Sequence, residues 1–252
     1  MRSLLRACTA GLAFTSCSLL AGDGPDDSSG TVRVFAAASL AEAFEHIAAR
    51  FESANPGVGV QLNFGPSSGL REQLLEGAPA DVFASADEVN MDRLVGAGLI
   101  DGTPSVFAVN VVEIAVPAGN PGGVTGLADL AEPGLLVGLC AAGVPCGDLA
   151  RRTLAEAGVE PSLDSEEPDV RSLLTKLAAG ELDVGLVYRT DVLAAAHDVD
   201  GIAVPDAVAA TTRYPIGVLE DAPNSEGGAA FVRFVNGAAG REVLTSLGFG
   251  EP

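Results

Sequence analysis

The turn Gly65-Pro66-Ser67-Ser68-Gly69 sets two hydroxyls between an apolar run and a helix-like repeat. It fits the G-x-S-x-G pattern of a nucleophile elbow. Ser67 is the nucleophile in that reading, and Asp183 or Asp191 followed by His197 supplies the hydrolase chain order Ser, Asp, His. Three features weigh against it. No His-Gly-Gly-Gly type segment precedes Ser67 to build an oxyanion hole. Pro66 removes an N–H from a turn that is already tight. His197 stands in Ala-Ala-Ala-His-Asp, which reads as the solvated end of a helix, and His46 reads as a half-exposed helix residue. The same serine supports a second chemistry. Ala38-Ser39, Ser67-Ser68-Gly69, Cys146-Gly147 and Asp169-Val170 each fall where a strand gives way to a helix. A helix N-terminus leaves N–H groups unpaired and carries the positive end of the dipole, so it holds anions without a cationic side chain. The hydroxyls of Ser39, Ser67 and Tyr188 would complete such a donor set. Each serine alone is a plain N-cap, so an anion site requires several of these termini to converge.

Composition narrows the choice. The 252 residues carry 34 Asp+Glu against 14 Lys+Arg, a net charge of −20. Nucleic-acid binding needs a dense Lys/Arg surface, and so does a polybasic membrane face; this chain has neither. The absence of Trp and a count of only two Tyr disfavour an aromatic sugar-stacking site. Two His and four Cys do not assemble a zinc site of the usual spacing. With 48% hydrophobic residues the chain can build a core, as one large domain or two small ones.

The N-terminus reads as an export signal. Arg2 and Arg6 precede a short apolar stretch over residues 7–16, too short for the ~20 residues of a membrane span. Phe14-Thr15-Ser16-Cys17 resembles a bacterial lipobox, which makes Cys17 a lipidation candidate, although Phe14 departs from the usual Leu. The alternative is an ordinary cleaved signal ending near Ala21. Residues 22–30 (Gly, Asp, Pro, Ser) read as a flexible acidic tether. The protein is therefore expected outside the cytoplasm, as a membrane-anchored lipoprotein or in the periplasm. If Cys8 and Cys17 belong to the signal, Cys140 and Cys146 remain. In an exported protein they are a disulfide candidate, with two buried free thiols as the alternative.

Positioning these groups requires strands alternating with helices. Strand-like runs cover residues 31–36, 58–64, 81–85, 106–116, 135–139, 184–188, 202–204 and 214–219. Between them, Leu40, Phe44, Ile47, Ala48 and Phe51 fall at helical spacing, and Ser39 with Glu42 fits a capping box. Further helices are expected after Gly69, over 91–97, 148–157, 169–178 and 190–196, and over 228–246 with a glycine break. The alternation implies an α/β fold with mostly parallel pairing.

Val34-Phe35-Ala36-Ala37-Ala38-Ser39-Leu40 resembles the opening strand and first ligand turn of the periplasmic molybdate-binding proteins that serve ABC importers. Gly77-Ala78-Pro79-Ala80-Asp81-Val82-Phe83-Ala84-Ser85-Ala86-Asp87 is similar to a signature segment of that family. Val144-Pro145-Cys146-Gly147, Asp169-Val170-Arg171, Val187-Tyr188 and the closing Leu247-Gly248-Phe249 follow in the family's order, so the resemblance covers residues 31–249. It implies a two-lobed type II periplasmic binding protein, with a mostly parallel sheet in each lobe, a central ligand cleft and a two-strand hinge. The implied division is 1–30 signal and tether, 31–110 first lobe, 111–212 second lobe and 213–252 return to the first. Asn110–Glu113 and Thr212–Tyr214 are the expected hinge strands.

The resemblance implies a binding protein rather than an enzyme. Its expected cargo is molybdate, with tungstate also accepted and sulfate or another tetrahedral oxyanion as the alternative. Ser39 and Ser67 would donate hydroxyl and backbone N–H. Cys146, where the family often has Ala, and Val170 would donate backbone N–H, and Tyr188 its phenol. Ser68 and Gly147 would support them from behind, and Asp81 and Asp87 would hold the lobe structure. No cofactor is implied. The expected partners are an ABC importer permease and the membrane through a lipid anchor only, with the protein itself a monomer.

Overall fold

The computed structural model describes residues 30–252; the signal, Cys17 and the tether up to residue 29 lie outside the described residues. Strand β1 (Thr31–Ala37) leads through a 3-10 turn (Ala38–Leu40) into helix α1 (Ala41–Ala54). Then come β2 (Gly59–Gly65), α2 (Ser67–Leu75), β3 (Val82–Ala84), α3 (Glu88–Gly96) and the long β4 (Ile100–Pro117). The chain continues through β5 (Val137–Cys140), α4 (Pro145–Ala157), β6 (Leu163–Glu167), α5 (Val170–Ala178), β7 (Val184–Tyr188), α6 (Arg189–Ala194) and β8 (Val199–Ala203). It ends with β9 (Thr211–Leu219), α7 (Ser225–Asn236) and α8 (Ala238–Ser246). Among the described residues no helix is long and apolar enough to cross a membrane.

The strands fall into two groups joined by β4. In the first, β1 pairs in parallel with β2 and β3, and β3 pairs antiparallel with β9. The first part of β4 runs antiparallel to β9 as far as Val111 opposite Thr211. From Val112, opposite Tyr188, β4 pairs with β7 and β8 instead. In this second group β5 is parallel to β6 and β7. Parallel pairing thus holds where a helix joins consecutive strands. The connecting strands β4 and β9 run antiparallel, because each meets its neighbour by way of the other group rather than over a helix.

Apolar periodicity explains the packing. Helix α1 buries Phe44, Ile47 and Phe51. Phe44 and Phe51 meet Phe231 of α7 at ring distances of 6.0 and 5.3 Å. Such tilted pairs add ~0.5–1.5 kcal/mol beyond the area they bury. A separate cluster of Phe35, Leu70, Leu74, Phe83, Met91 and Leu94 packs α2 and α3 onto the first strand group.

Several boundaries differ from expectation. Strand β4 starts at Ile100, not Val106, and its register shifts between Asp101 and Ser105. Gly102, at φ 66°, and Pro104 mark a bulge there that reads as a turn in sequence. Strand β6 (Leu-Asp-Ser-Glu-Glu) was not expected, since a polar edge strand has no apolar alternation. The terminal helix divides at Gly237 into α7 and α8.

Candidate functional site

Four strand-to-helix turns reach one small cavity. Ser39 comes from the 3-10 turn, Ser67 from the start of α2, Cys146 from the start of α4, and Val170 from the start of α5. Tyr188, the last residue of β7, also lines it. The cavity measures about 20 Å³. That exceeds the ~10–15 Å³ needed for one water-sized group and falls far below the ~300–1,000 Å³ of organic-ligand pockets. None of its lining residues is Lys or Arg. Its one lining carboxylate, Asp169, turns Oδ1 to the Ser172 N–H at 2.8 Å and caps α5.

Each turn delivers N–H groups for a local reason. Helix α2 begins after Pro66 with no side-chain cap, so the first-turn amides of Ser67, Ser68 and Gly69 have no intrahelical partner. Helix α4 begins with Pro145 at its first position and no side-chain cap on Val144, which leaves Cys146 and Gly147 as its leading donors. In α5 the Asp169 side chain caps only Ser172, and the Val170 N–H keeps a first-turn position. A disulfide joins Cys140, at the end of β5, to Cys146, with Cα atoms 5.8 Å apart. A Cβ on Gly147 would lie 2.1 Å from the Ala141 carbonyl oxygen and 2.5 Å from that of Cys140, so only glycine fits this turn.

The hydroxyls are individually tuned. Ser67 is buried, and its Oγ accepts the Ala86 N–H at 3.0 Å. The Ser39 Oγ lies 3.0 Å from the Tyr214 hydroxyl. The capping box expected from Ser39 and Glu42 does not form: α1 is capped by Leu40 without a side-chain bond, because the Ser39 hydroxyl faces Tyr214. The Tyr188 hydroxyl is buried with no hydrogen-bond partner in the protein. Burial pushes its ionisation well above the ordinary tyrosine range, with Tyr214 and Asp191 adding to the effect, so it stays an O–H donor. The Tyr188 backbone N–H donates to Asp191 Oδ2 at 3.2 Å, and burial raises the Asp191 carboxyl to about 8.

The remaining expected residues sit elsewhere. Ser68 and Gly147 are half-buried and buried, respectively, and neither lines the cavity. Asp81 is fully buried and accepts the N–H groups of Arg33 and Asn224, each at 2.6 Å, which ties β1 to the start of α7. Asp87 caps α3 through Asn90. The hydrolase constellation does not assemble: His46 and His197 are exposed and do not line the cavity. Asp183 holds the Leu136 N–H at 2.8 Å instead. Among the described residues no group of His, Cys, Asp and Glu could hold a metal ion. Sequence reasoning missed Ala86 as a site residue, since a backbone N–H has no side-chain signature. It read Asn110, Thr212 and Tyr214 as hinge only. Two buried polar residues alternating in the apolar β9 were the available signal.

Comparisons with known proteins identify the family and the fold. The family model for bacterial extracellular solute-binding proteins matches residues 32–250. The chain is 42% identical over 229 residues to the molybdate-binding protein ModA of Mycobacterium tuberculosis, covering 91% of this chain and 88% of that one. The periplasmic molybdate-binding protein of Azotobacter vinelandii superposes with a TM-score of 0.77 at 19% identity, over 88% of this chain and 99% of that one. The sulfate-binding protein SubI of M. tuberculosis gives 0.80 at 19%, over 87% and 86%. With a type II periplasmic binding fold and a family match over nearly all the described residues, the chain belongs to the bacterial extracellular solute-binding proteins.

Proposed function

We propose that this protein captures molybdate, and tungstate with it, outside the cytoplasm and delivers it to an ABC importer. It is a binding protein, not an enzyme. The observation that carries the cargo is the cavity of about 20 Å³ where Ser39, Ser67, Cys146, Val170 and Tyr188 meet without a cationic side chain. A dianion that leaves water needs donors on all sides. Hydroxyls and first-turn amides supply them, and a fully deprotonated oxyanion needs no acceptor in return. The similarity to ModA of M. tuberculosis supports molybdate as the cargo.

The donors divide between two lobes, residues 31–110 with 213–252 and residues 111–212. The anion then joins the lobes only when the cleft is closed, and closure is a hinge motion at the two connecting strands. Neutral donors suit a cargo that must be handed to a permease. Cys17 is the proposed lipid anchor and residues 22–30 the tether, with the binding unit a monomer.

A thermal-shift titration with molybdate, tungstate, sulfate and phosphate tests the cargo. A ligand at ~1,000 times its Kd adds ~4 kcal/mol and raises the melting point by several degrees. The expected result is a large shift with molybdate and tungstate and none with sulfate. A shift with sulfate alone reassigns the cargo, and no shift with any oxyanion overturns the reading.

A further inference from the structure

We propose that strand β9 aims both serine hydroxyls of the first lobe at the bound anion, with Tyr214 orienting Ser39 directly and Thr212 orienting Ser67 through the Ala86 backbone. This rests on the reading of the cavity as an oxyanion site.

The amide and backbone donors fix most of the hydrogen-bond directions around β9. Asn110 Oδ1 accepts the Val111 N–H at 3.0 Å, which fixes the amide's orientation. Its Nδ2 therefore faces Thr190 Oγ1 at 2.8 Å and the Tyr214 hydroxyl at 3.4 Å. An amide nitrogen only donates, so the Tyr214 oxygen accepts there; the proposal assigns the Tyr214 hydrogen to Ser39 Oγ, the hydroxyl 3.0 Å away. Ser39 thus receives a bond from behind, and its hydrogen is left for the cavity. Burial holds Tyr214 far above the ordinary tyrosine range, so that hydrogen is retained.

Ser67 is held in the same way at one remove. Thr212 Oγ1 donates to the Ala86 carbonyl at 2.7 Å, and the Ala86 N–H donates to Ser67 Oγ at 3.0 Å. The Ala86 backbone is held at both its N–H and its carbonyl, one Ser67 lone pair is filled, and its hydrogen too is left for the cavity. Thr212 and Tyr214 are two apart on β9, so they share one face of the strand. Thr212 stands opposite Asn110 in register, at the point where β4 changes partner. The Asn110 contact to Thr190, two residues after Tyr188, ties β4 to the start of α6.

The roles separate in calorimetric titrations with molybdate. Tyr214→Phe is expected to weaken binding about tenfold, the equivalent of one hydrogen bond. Thr212→Val should weaken it by a similar factor, and Thr212→Ser, which keeps the hydroxyl, should restore it. Melting points without ligand register any general loss of fold. The decisive readout is the double variant: after Ser39→Ala, adding Tyr214→Phe should change the affinity no further. Fully additive losses, or an unchanged Kd in Tyr214→Phe, overturn the orienting role while leaving the anion site standing. Wild-type protein that binds no oxyanion overturns the anion-site reading, and this inference with it.

Discussion

The site's chemistry at the scale of single residues is that of neutral donors held ready. The Tyr188 hydroxyl is the sharpest case, buried and without a partner. A buried polar group left unpaired costs ~1–3 kcal/mol. Tyr188→Phe should therefore raise the unliganded melting point and weaken molybdate binding at the same time, and one calorimetry series measures both. A variant that lowers both would show that the hydroxyl supports the fold rather than the ligand. Ser67→Ala removes an acceptor from the Ala86 N–H as well as a ligand donor, so affinity should fall by ~1–3 kcal/mol with a modest loss of stability. Asp191 behaves differently. Burial lifts its carboxyl from 3.8 to about 8, while its contact with the Tyr188 N–H and the nearby Arg171 pull it down and Asp169 pushes it up. The folded chain holds a proton that the unfolded chain has lost above pH 3.8, so this group favours folding most below that pH. Its contribution declines as pH rises towards 8. Asp191→Asn keeps an acceptor for Tyr188, and it should flatten the fall in melting temperature between pH 5 and 8. An equally steep fall in the variant would remove Asp191 as its source.

Among the elements, the turns into α2, α4 and α5 matter more than the helices they begin, because their first-turn amides are the donors proposed for the ligand. The β5–α4 turn has the least room. A Cβ on Gly147 would press on the carbonyl oxygens of Cys140 and Ala141, so Gly147→Ala must open the turn that presents Cys146. Overpacking of this kind costs ~1–3 kcal/mol. Denaturant midpoints should fall accordingly, and molybdate affinity should fall with them; intact affinity would separate Cys146 from the site. The helix starts were legible because Pro, Ser, Asp and Gly mark them by their own backbone and hydroxyl chemistry. Ser39 was read as the cap of α1, because a Ser-x-x-Glu pattern does not reveal that Tyr214, 175 residues away, takes the hydroxyl. Strand β6 was missed because its acidic edge carries no period, and the start of β4 because Gly102 and Pro104 imitate a turn. What sequence cannot supply is which termini face one another, since that depends on the crossings of β4 and β9.

At the scale of the whole molecule, a chain of net charge −20 is read as collecting a dianion. The two facts are compatible because donors inside a cavity act at contact distance, whereas net charge acts through solvent and is screened. They oppose each other only while the anion approaches. Long-range repulsion is felt over ~30 Å at 10 mM salt and ~8 Å at 150 mM. The association rate should therefore rise about two- to tenfold across that range. On the proposed site the dissociation rate should hardly change, since an anion enclosed by neutral donors is beyond the reach of bulk ions. Most proteins that bind anions through Lys and Arg would show the reverse. The chain offers its own probe: it has no Trp, and its two tyrosines, Tyr188 and Tyr214, lie 6.0 Å apart beside the cavity. Stopped-flow tyrosine fluorescence with molybdate in increasing NaCl measures both rates. An association rate that falls with salt would mean that the positive ends of the converging helices govern approach as well as binding, and that the acidic surface lies too far from the cleft mouth to oppose them.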